Sequence, residues 1–263
     1  MIERLAANAR VVVALGARSV TQTARRPQLA APLLIFPTAL LAIQTGGAGR
    51  AVDLPGFPQV ESFLAFMLAG AMVQGSLLAG NSGGIALALD MEMGFTDRLW
   101  VAPISRFGVV LGRLAGTAML GAFIALWFIV LGLVFGVGFQ EGVLGVIWVV
   151  VLVAASAVAF GGIGAAIALK SGRASVVQGL FPLIFVILFL STAFFPASLM
   201  LEPAASVAEY NPLSFIVEGI REPIVAEFET TDQLKAIASV IGVGLFGILL
   251  SAAALRGRAR RGG

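Results

Sequence analysis

The sequence predicts an all-α integral membrane protein, because its composition excludes a soluble fold and its apolar residues form long runs. Of its 263 residues, 59% are hydrophobic and only 12% are charged, whereas soluble domains carry about 25% charged residues. The 32 glycines fit the same class, since glycine is commoner in membrane helices than in soluble ones. Helices are the expected elements, because lipid offers the backbone no hydrogen-bond partners.

The chain contains no cysteine and no histidine. Disulfides, thiol nucleophiles and most zinc sites are therefore excluded, and we predict no catalytic, cofactor-binding or metal-binding residue. Nucleic acid is not an expected partner, because the arginines are scattered at the ends of apolar runs and form no single basic face.

The N-terminal residues 1–26 are predicted to lie on the membrane surface. At about 100° per residue, the apolar residues within 2–20 gather on one side of a helix, while Glu3, Arg4 and Arg10 point elsewhere. The alternative is that this helix extends the first span, which would bring Arg18 and Arg25 into lipid.

Six membrane-spanning helices are predicted from the apolar runs. About 20 apolar residues are needed to cross a hydrocarbon core of about 30 Å. The first run is short and contains Pro32 and Pro37, which indicate a kink. The predicted spans cover residues 28–43, 60–79, 107–135, 143–169, 175–195 and 236–255.

The distribution of positive charge predicts the orientation. Fourteen of the 17 lysines and arginines lie on the side of the two termini, which leaves Arg50, Arg221 and Lys235 on the other side. Cytoplasmic loops collect Lys and Arg. We therefore expect a plasma-membrane protein whose termini, basic tail (256–263) and 170–174 turn face the cytoplasm.

A charged segment over residues 83–113 separates the second and third spans and is also predicted to face the cytoplasm. Within it, Met91, Phe95 and Leu99 recur every four residues and would form an apolar stripe on a short helix that Pro103 ends. Such a helix could enter a groove on a partner or lie on lipid headgroups, and both remain open. The charged residues are Asp90, Glu92, Asp97, Arg98, Arg106 and Arg113.

The outer segment, residues 196–235, is predicted to hold re-entrant helices. Pro196, Pro203, Pro212 and Pro223 divide it into pieces too short to cross the bilayer, and such pieces are tolerated at membrane depth where protein or water surrounds them. An ordinary extracellular loop is the alternative. The candidate gate residues are Pro196, Tyr210, Asn211, Pro212, Phe215, Glu218 and Arg221.

Two glutamines lie within or near the predicted spans, and two short motifs resemble catalytic or phosphate-binding patterns without their essential residues. Gln74 and Gln178 could line a translocation path or form interhelical hydrogen bonds. Residues 80–84, GNSGG, match the G-x-S-x-G nucleophile pattern, but no histidine exists to activate the serine, so helix packing explains them better. Residues 164–171, GAAIALKS, have Leu169 where a phosphate-binding loop requires glycine. ATP is therefore expected to bind elsewhere.

Two stretches resemble the membrane subunits of type 2 ABC exporters, in the daunorubicin-resistance-like branch of that permease family. GIALALDMEMGFTDRLWVAPISR is similar to the family's acidic-basic stretch ending in Pro-x-Ser/Thr-Arg. AEYNPLSFIVEGIR is similar to its NPL-x-aromatic-x-V-E-x-hydrophobic-R signature. The resemblance covers essentially the whole chain as one transmembrane domain, 1–263, although Met91, Met93 and Phe95 stand where the family often has Arg and Glu.

The resemblance implies a cytoplasmic coupling helix within residues 83–106 that contacts a separate ATPase. It also implies two ATP-binding subunits, which carry ATP and Mg, and a second permease subunit that is either a copy or a relative. The residues assigned to the ATPase contact are Asp90, Met91, Glu92, Phe95, Asp97, Arg98, Leu99, Pro103 and Arg106.

The implied function is export of an amphiphilic drug or lipid, as in multidrug efflux and antibiotic resistance. Export of polysaccharide or glycolipid is an alternative within the family. A membrane carrier or scaffold that works without ATP is the alternative from another class. The scarcity of ionisable residues at mid-membrane argues against an ion-coupled carrier.

Overall fold

The computed structural model describes residues 13–14, 16–18, 21, 27–95 and 106–259, and within these ranges the regular structure is entirely helical. The all-α fold predicted from the sequence is confirmed. The helices are α1 (Pro27–Ala48), α2 (Phe63–Glu92), α3 (Arg106–Val134), α4 (Gly142–Ser171), α5 (Ala174–Gln178), α6 (Phe181–Phe189), α7 (Ala204–Tyr210), α8 (Pro212–Val225) and α9 (Thr230–Ala259).

Among the described residues, five helices are long and apolar enough to cross a membrane: α1, α2, α3, α4 and α9. Several of them leave large apolar side chains exposed, such as Val130 on α3, Ile147 on α4 and Leu249 on α9. Exposed apolar surface on this scale is rare on soluble monomers and suits contact with lipid. The chain is therefore a multi-pass membrane protein.

The helix α2 is the centre of the bundle. It packs against α1, α3, α4, α5 and α8, and Phe66, Leu68 and Met72 on it are at most 1% exposed. At its crossing with α4, small residues allow backbone contact: a Cβ on Gly84 would lie 2.7 Å from the carbonyl carbon of Gly164. The GNSGG stretch therefore serves helix packing, as interpreted from the sequence.

The bundle has two ends, which we name after a buried charged residue in each. The Asp90 end contains the last turns of α2 and α4 and the start of α3, and the Arg221 end contains the start of α2 and the helix α8. The first and last described parts of the chain both lie at the Asp90 end, where Arg18 approaches Asp90 and Leu255 packs near Leu87. The described residues nearest the two termini therefore lie at one end of the bundle, and the side of the membrane that they face stays a prediction.

The predicted fifth span, residues 175–195, is not one helix. The helix α5 ends at Gln178 and α6 begins at Phe181, because Pro182 has no N–H to donate to the carbonyl of Gln178 one turn earlier. Pro196 does not end this region either, since α6 ends at Phe189. The chain still runs from the Asp90 end to the Arg221 end here, and its membrane crossing stays a prediction.

The charged segment between the second and third spans is shorter than predicted. The helix α2 continues to Glu92 and α3 begins at Arg106, so the connection is 93–105 and not 83–106. Gly94, with a φ of +68°, ends α2 in the left-handed conformation that glycine adopts without strain. Met91 and Phe95 are therefore not on one uninterrupted helix, and the predicted apolar stripe is wrong at this point.

Pro223 does not break α8, contrary to the prediction. A proline leaves the carbonyl four residues earlier without its helical partner, which here is the carbonyl of Gly219. The indole Nε1–H of Trp148 on α4 donates to that carbonyl at 3.3 Å. The freed acceptor is thus satisfied from a neighbouring helix, and α8 continues to Val225.

Candidate functional site

Asp90 is the centre of a buried charge cluster in the last turn of α2. Its carboxylate contacts the guanidinium of Arg113 on α3, and Arg18 in the N-terminal segment approaches it at 4.0 Å. Asp90 is 4% exposed and Arg113 is 7% exposed. Removing one member of such a buried pair costs about 3–5 kcal/mol, because the other charge is left without compensation.

Two neighbours of Asp90 extend this cluster. Glu92 accepts a hydrogen bond from the backbone N–H of Ala174 at 2.8 Å, which ties the end of α2 to the start of α5. The guanidinium carbon of Arg18 lies 3.7 Å from the centre of the Phe95 ring, within the range of a cation–π contact. The Asp90 end is therefore held together by charged side chains from three segments, the N-terminal segment, α2 and α3.

The structure separates the residues assigned to ATPase contact into two groups. Asp90 and Met91 are buried. Asp90 is bound to arginines of its own chain, and Met91 packs in an apolar cluster with Leu87, so their contact with a partner stays a prediction. Glu92 is exposed and Phe95 is half-buried. The remaining residues, Asp97, Arg98, Leu99 and Pro103 together with the side chain of Arg106, lie outside the described residues.

At the opposite end, Arg221 on α8 is the centre of a second network. It is 4% exposed, donates through Nε to the carbonyl of Phe66 at 3.1 Å and through Nη2 to the carbonyl of Thr192 at 2.8 Å. Its Nη1 pairs with Glu218 at 2.6 Å, and its guanidinium carbon lies 3.8 Å from the ring centre of Phe66. One side chain thus joins α8 to α2 and to the segment after α6.

Asn211 connects the same elements through its amide. Its Oδ1 accepts from the N–H of Leu213 at 2.9 Å and so caps the start of α8. Its Nδ2 donates to the carbonyls of Ile187 at 3.0 Å and Leu190 at 2.8 Å, which are free because α6 ends there. The structure therefore brings Asn211, Glu218 and Arg221, three predicted gate residues, into one connected region.

The other candidate gate residues are placed differently. Tyr210 is 76% exposed at the end of α7, Pro212 is exposed and Phe215 is half-buried on α8, and Pro196 is buried in the preceding loop. The helices α7 and α8 lie consecutively at the Arg221 end, and α8 packs against α2, α4 and α9. Whether they enter the membrane stays a prediction.

Acidic side chains also join α8 to α9 at this end. Carboxylate oxygens of Glu222, Glu229 and Asp232 lie within 4.8 Å of one another. Glu222 already accepts from the Nε2 of Gln233 at 2.6 Å and from the N–H of Glu229 at 3.2 Å. Burial raises the pKa of Glu222, although these hydrogen bonds oppose the rise.

A cavity of about 390 Å³ lies between α1, α2 and the α5–α6 pair. Its walls are mainly apolar, with Leu33 and Phe36 from α1 and Phe181 from α6. Three polar side chains also reach it, those of Asn81, Ser82 and Gln178. An apolar cavity of this volume with a few polar groups is typical of small-molecule sites.

Asn81 is the polar residue that stands out in this region. It also lines a second, apolar cavity of about 180 Å³ between α2, α4 and α6. Its side chain is 8% exposed, and its Oδ1 has no hydrogen-bond partner among the described residues. A buried amide oxygen without a partner is costly. Asn81 was not among the residues predicted from the sequence, although it is the polar residue beside Gly80 in the GNSGG stretch.

The two predicted amides have different surroundings. Gln178 is exposed and lines the larger cavity. Gln74 is 1% exposed, and its Nε2 has no hydrogen-bond partner within the described part of the chain, so the interhelical hydrogen bond suggested for this amide group is not found. The structure therefore brings Gln178 to the larger cavity and buries Gln74 within α2.

An aromatic row runs beside the larger cavity. Phe36 on α1 contacts the rings of Phe181 and Phe185, with centroids 6.2 Å and 5.4 Å away. The row continues through Phe189 to Phe194, where the last two centroids are 4.7 Å apart. It follows α6 because residues four apart share a helix face.

The chain matches a known protein family. The family model described as ABC-2 type transporter matches residues 10–225, which is most of the chain. The match ends at the last residue of α8, so α9 lies beyond it. No curated protein matches the sequence closely enough to add a comparison.

Proposed function

The chain is a transmembrane permease subunit of the ABC-2 type transporter family, and we propose that it exports an amphiphilic drug-like or lipid-like substrate outward across the plasma membrane. ATP and Mg are bound by a separate ATP-binding subunit, present in two copies. The translocation unit contains a second permease subunit, either a copy of this chain or a relative. In this proposal the Asp90 end faces the cytoplasm.

The observation that carries the substrate class is the cavity between α1, α2 and the α5–α6 pair. Its apolar walls suit a hydrophobic body, and the unpartnered Oδ1 of Asn81 suits one hydrogen-bond donor on the substrate. A molecule with an apolar body and a polar head meets both requirements. Multidrug efflux and antibiotic resistance are functions that such a cavity would support.

The partner can be tested by copurification. The tagged chain is isolated from native membranes in mild detergent, and bound proteins are identified by mass spectrometry. We expect an ATP-binding subunit, and the reconstituted complex should move an amphiphile across liposomes only with hydrolysable ATP. Recovery of the chain without an ATPase, together with transport that needs no ATP, would favour the alternative of an ATP-independent carrier or scaffold.

The cavity can be tested through Asn81. Asn81→Leu removes the amide and adds apolar atoms, so we expect weaker transport of substrates with a hydrogen-bond donor and a smaller effect on fully apolar ones. Gly242→Ala on α9, where an added Cβ meets nothing within 4 Å, is the matched control. Equal loss for both substrate types would remove the assignment of Asn81 to the substrate.

The coupling contact is assigned to the connection between α2 and α3. We expect charge reversal at Asp97 or Arg98 to abolish stimulation of the ATPase while leaving membrane insertion intact. Phe95 lies in this connection and Glu92 precedes it, whereas Asp90 and Met91 are buried in the last turn of α2. Stimulation at the wild-type level in both charge-reversal variants would remove the assignment.

Export of polysaccharide or glycolipid is a second candidate, which the aromatic row favours. Sugar rings stack on aromatic side chains, and the row from Phe36 to Phe194 follows the length of α6. Phe185→Ala interrupts it at its centre. Loss of glycan export in cells, with drug accumulation unchanged, would support this candidate over the first.

A further inference from the structure

Arg18 contacts two parts of the Asp90 end at once. Its guanidinium approaches Asp90 at 4.0 Å and lies over the ring of Phe95 at 3.7 Å. Phe95 follows Gly94, at the start of the connection to which the coupling residues are assigned. Arg18 therefore bridges the N-terminal segment, the end of α2 and the start of that connection.

Gly16 in the N-terminal segment also packs against α3. Gly16 is buried, and a Cβ added to it would lie 3.3 Å from the Cβ of Ala115 and 3.7 Å from the carbonyl oxygen of Gly112. Arg113, in the same turn of α3, makes the other contact with Asp90. Asp90 thus receives one arginine from the N-terminal segment and one from the helix on which that segment lies.

The two arginines bind Asp90 unequally. Arg113 is buried and in direct contact with the carboxylate, whereas the side chain of Arg18 is 33% exposed and its closest nitrogen is 4.0 Å away. A partly exposed pair is weaker than a buried one of good geometry. The Arg18 contact can therefore open or shift while the Asp90–Arg113 pair keeps α2 and α3 together.

We propose that Arg18 is a positioning residue that fixes the N-terminal segment to the start of the coupling connection, so that a displacement of Phe95 is passed to the N-terminal segment and α3. The role in coupling rests on the proposed function. The positioning of the N-terminal segment by Arg18 does not rest on the proposed function, and it is tested separately.

The first experiment tests placement in membranes that contain this chain alone. The chain has no cysteine, so Gly16→Cys with Ala115→Cys gives a single disulfide pair, and the 3.3 Å spacing is close to the Cβ separation of about 3.8 Å in disulfides. We expect the disulfide to form on mild oxidation and its yield to fall severalfold when Arg18→Gln is added. Arg173→Gln, which removes an exposed arginine at the same end, should leave the yield unchanged.

A second measurement avoids the double-cysteine variant, which could fail if the two cysteines distort the helices. Gly16→Cys alone should react slowly with a maleimide because position 16 is buried, and severalfold faster when Arg18→Gln is added. Equal rates with and without Arg18→Gln, or equal disulfide yields, would overturn the proposal. This result is independent of any ATPase.

The third experiment tests the role in coupling with the ATPase complex in liposomes. Arg18→Gln should lower the substrate transported per ATP hydrolysed by roughly three- to tenfold, with assembly unchanged, since a cation–π contact and a partly exposed ion pair are lost. Arg18→Lys keeps the charge but not the planar stacking group and should be intermediate. An unchanged ratio in Arg18→Gln overturns the coupling role, whereas a wild-type complex that transports nothing with ATP contradicts the proposed function itself.

Discussion

Single polar side chains, few in number, hold the ends of this bundle together. Asn211 is the clearest case, because one amide caps α8 and binds two carbonyls at the end of α6. Arg221 acts similarly, with three hydrogen bonds to three different residues. Because only 12% of the residues are charged, each of these side chains makes several contacts, whereas a soluble protein distributes such contacts among many side chains.

We expect Asn211→Ala to lower the free energy of unfolding by about 2–3 kcal/mol, because it removes one helix cap and two further hydrogen bonds. Asn211→Ser keeps a capping oxygen and should lie between wild type and alanine. Thermal unfolding in detergent, followed by the fluorescence of the three tryptophans, measures the change. An alanine variant as stable as wild type would mean that water replaces these bonds at no cost.

The contribution of Glu222 to the free energy of unfolding is predicted to depend on pH. Because burial raises its pKa in the folded protein, the folded state favours the protonated acid. Its stabilising contribution is fully present below the unfolded pKa of about 4.3 and is lost as pH rises through the raised folded pKa. Glu222→Gln should therefore gain stability relative to wild type as pH increases.

Melting temperatures of wild type and Glu222→Gln between pH 4 and pH 8 test this directional claim. The control is Gly242→Ala on α9, where an added Cβ meets nothing within 4 Å; it changes no titratable group, so its difference from wild type should not change with pH. A constant difference between wild type and Glu222→Gln would show that Glu222 has no raised pKa.

At the scale of the elements, close packing of α2 on α4 depends on glycine. A Cβ at Gly84 would lie 2.7 Å from backbone atoms of Gly164, and backbone cannot move aside as a flexible side chain does. Two helices that meet at glycines approach more closely than side chains would permit. The crossing of α2 and α4 is therefore sensitive to a single methyl group.

We expect Gly84→Ala to destabilise the protein by about 1–3 kcal/mol, the usual cost of overpacking. Gly242→Ala on α9 is the control, since its Cβ would enter open space, and it should leave the melting temperature unchanged or slightly higher. The two variants are compared in the same detergent. Equal melting temperatures would mean that α2 and α4 separate easily.

The long apolar helices could be predicted from the sequence, whereas the contacts between distant residues could not. Runs of apolar residues indicate α3 and α4 almost to their ends, and the central part of α9, because burial in lipid depends on composition. The break before Pro182 was missed because the flanking residues are apolar. The tolerance of Pro223 was missed because Trp148, which satisfies the freed carbonyl, lies on another helix.

The candidate site could be predicted only in part, because its contacts also join residues that are distant in the sequence. In the signature around Asn211, Glu218 and Arg221, the last two are paired in the structure, and Asn211 binds carbonyls at the end of α6. In contrast, nothing in the pattern pairs Asp90 with Arg113 or with Arg18, because the three belong to separate segments. Asp90 was therefore assigned to a surface, and the structure buries it.

For the whole molecule, the proposed orientation can be tested with single cysteines in a chain that has none. Leu201→Cys, at a position 84% exposed at the Arg221 end, should react with a membrane-impermeant maleimide applied outside intact cells. Arg173→Cys, at the Asp90 end, should react only after the membrane is opened. Outside labelling of Arg173→Cys would place the coupling connection out of reach of any cytoplasmic ATPase.

The central position of α2 has a consequence for biogenesis. During synthesis α2 leaves the ribosome before α3, α4 and α8, the helices that later surround it. Gln74 and Asn81 are thus in lipid or in the insertion machinery before these later helices are made, and each buried amide makes that early insertion less favourable. Stable insertion of α2 in the bilayer therefore depends on helices that are synthesised after it.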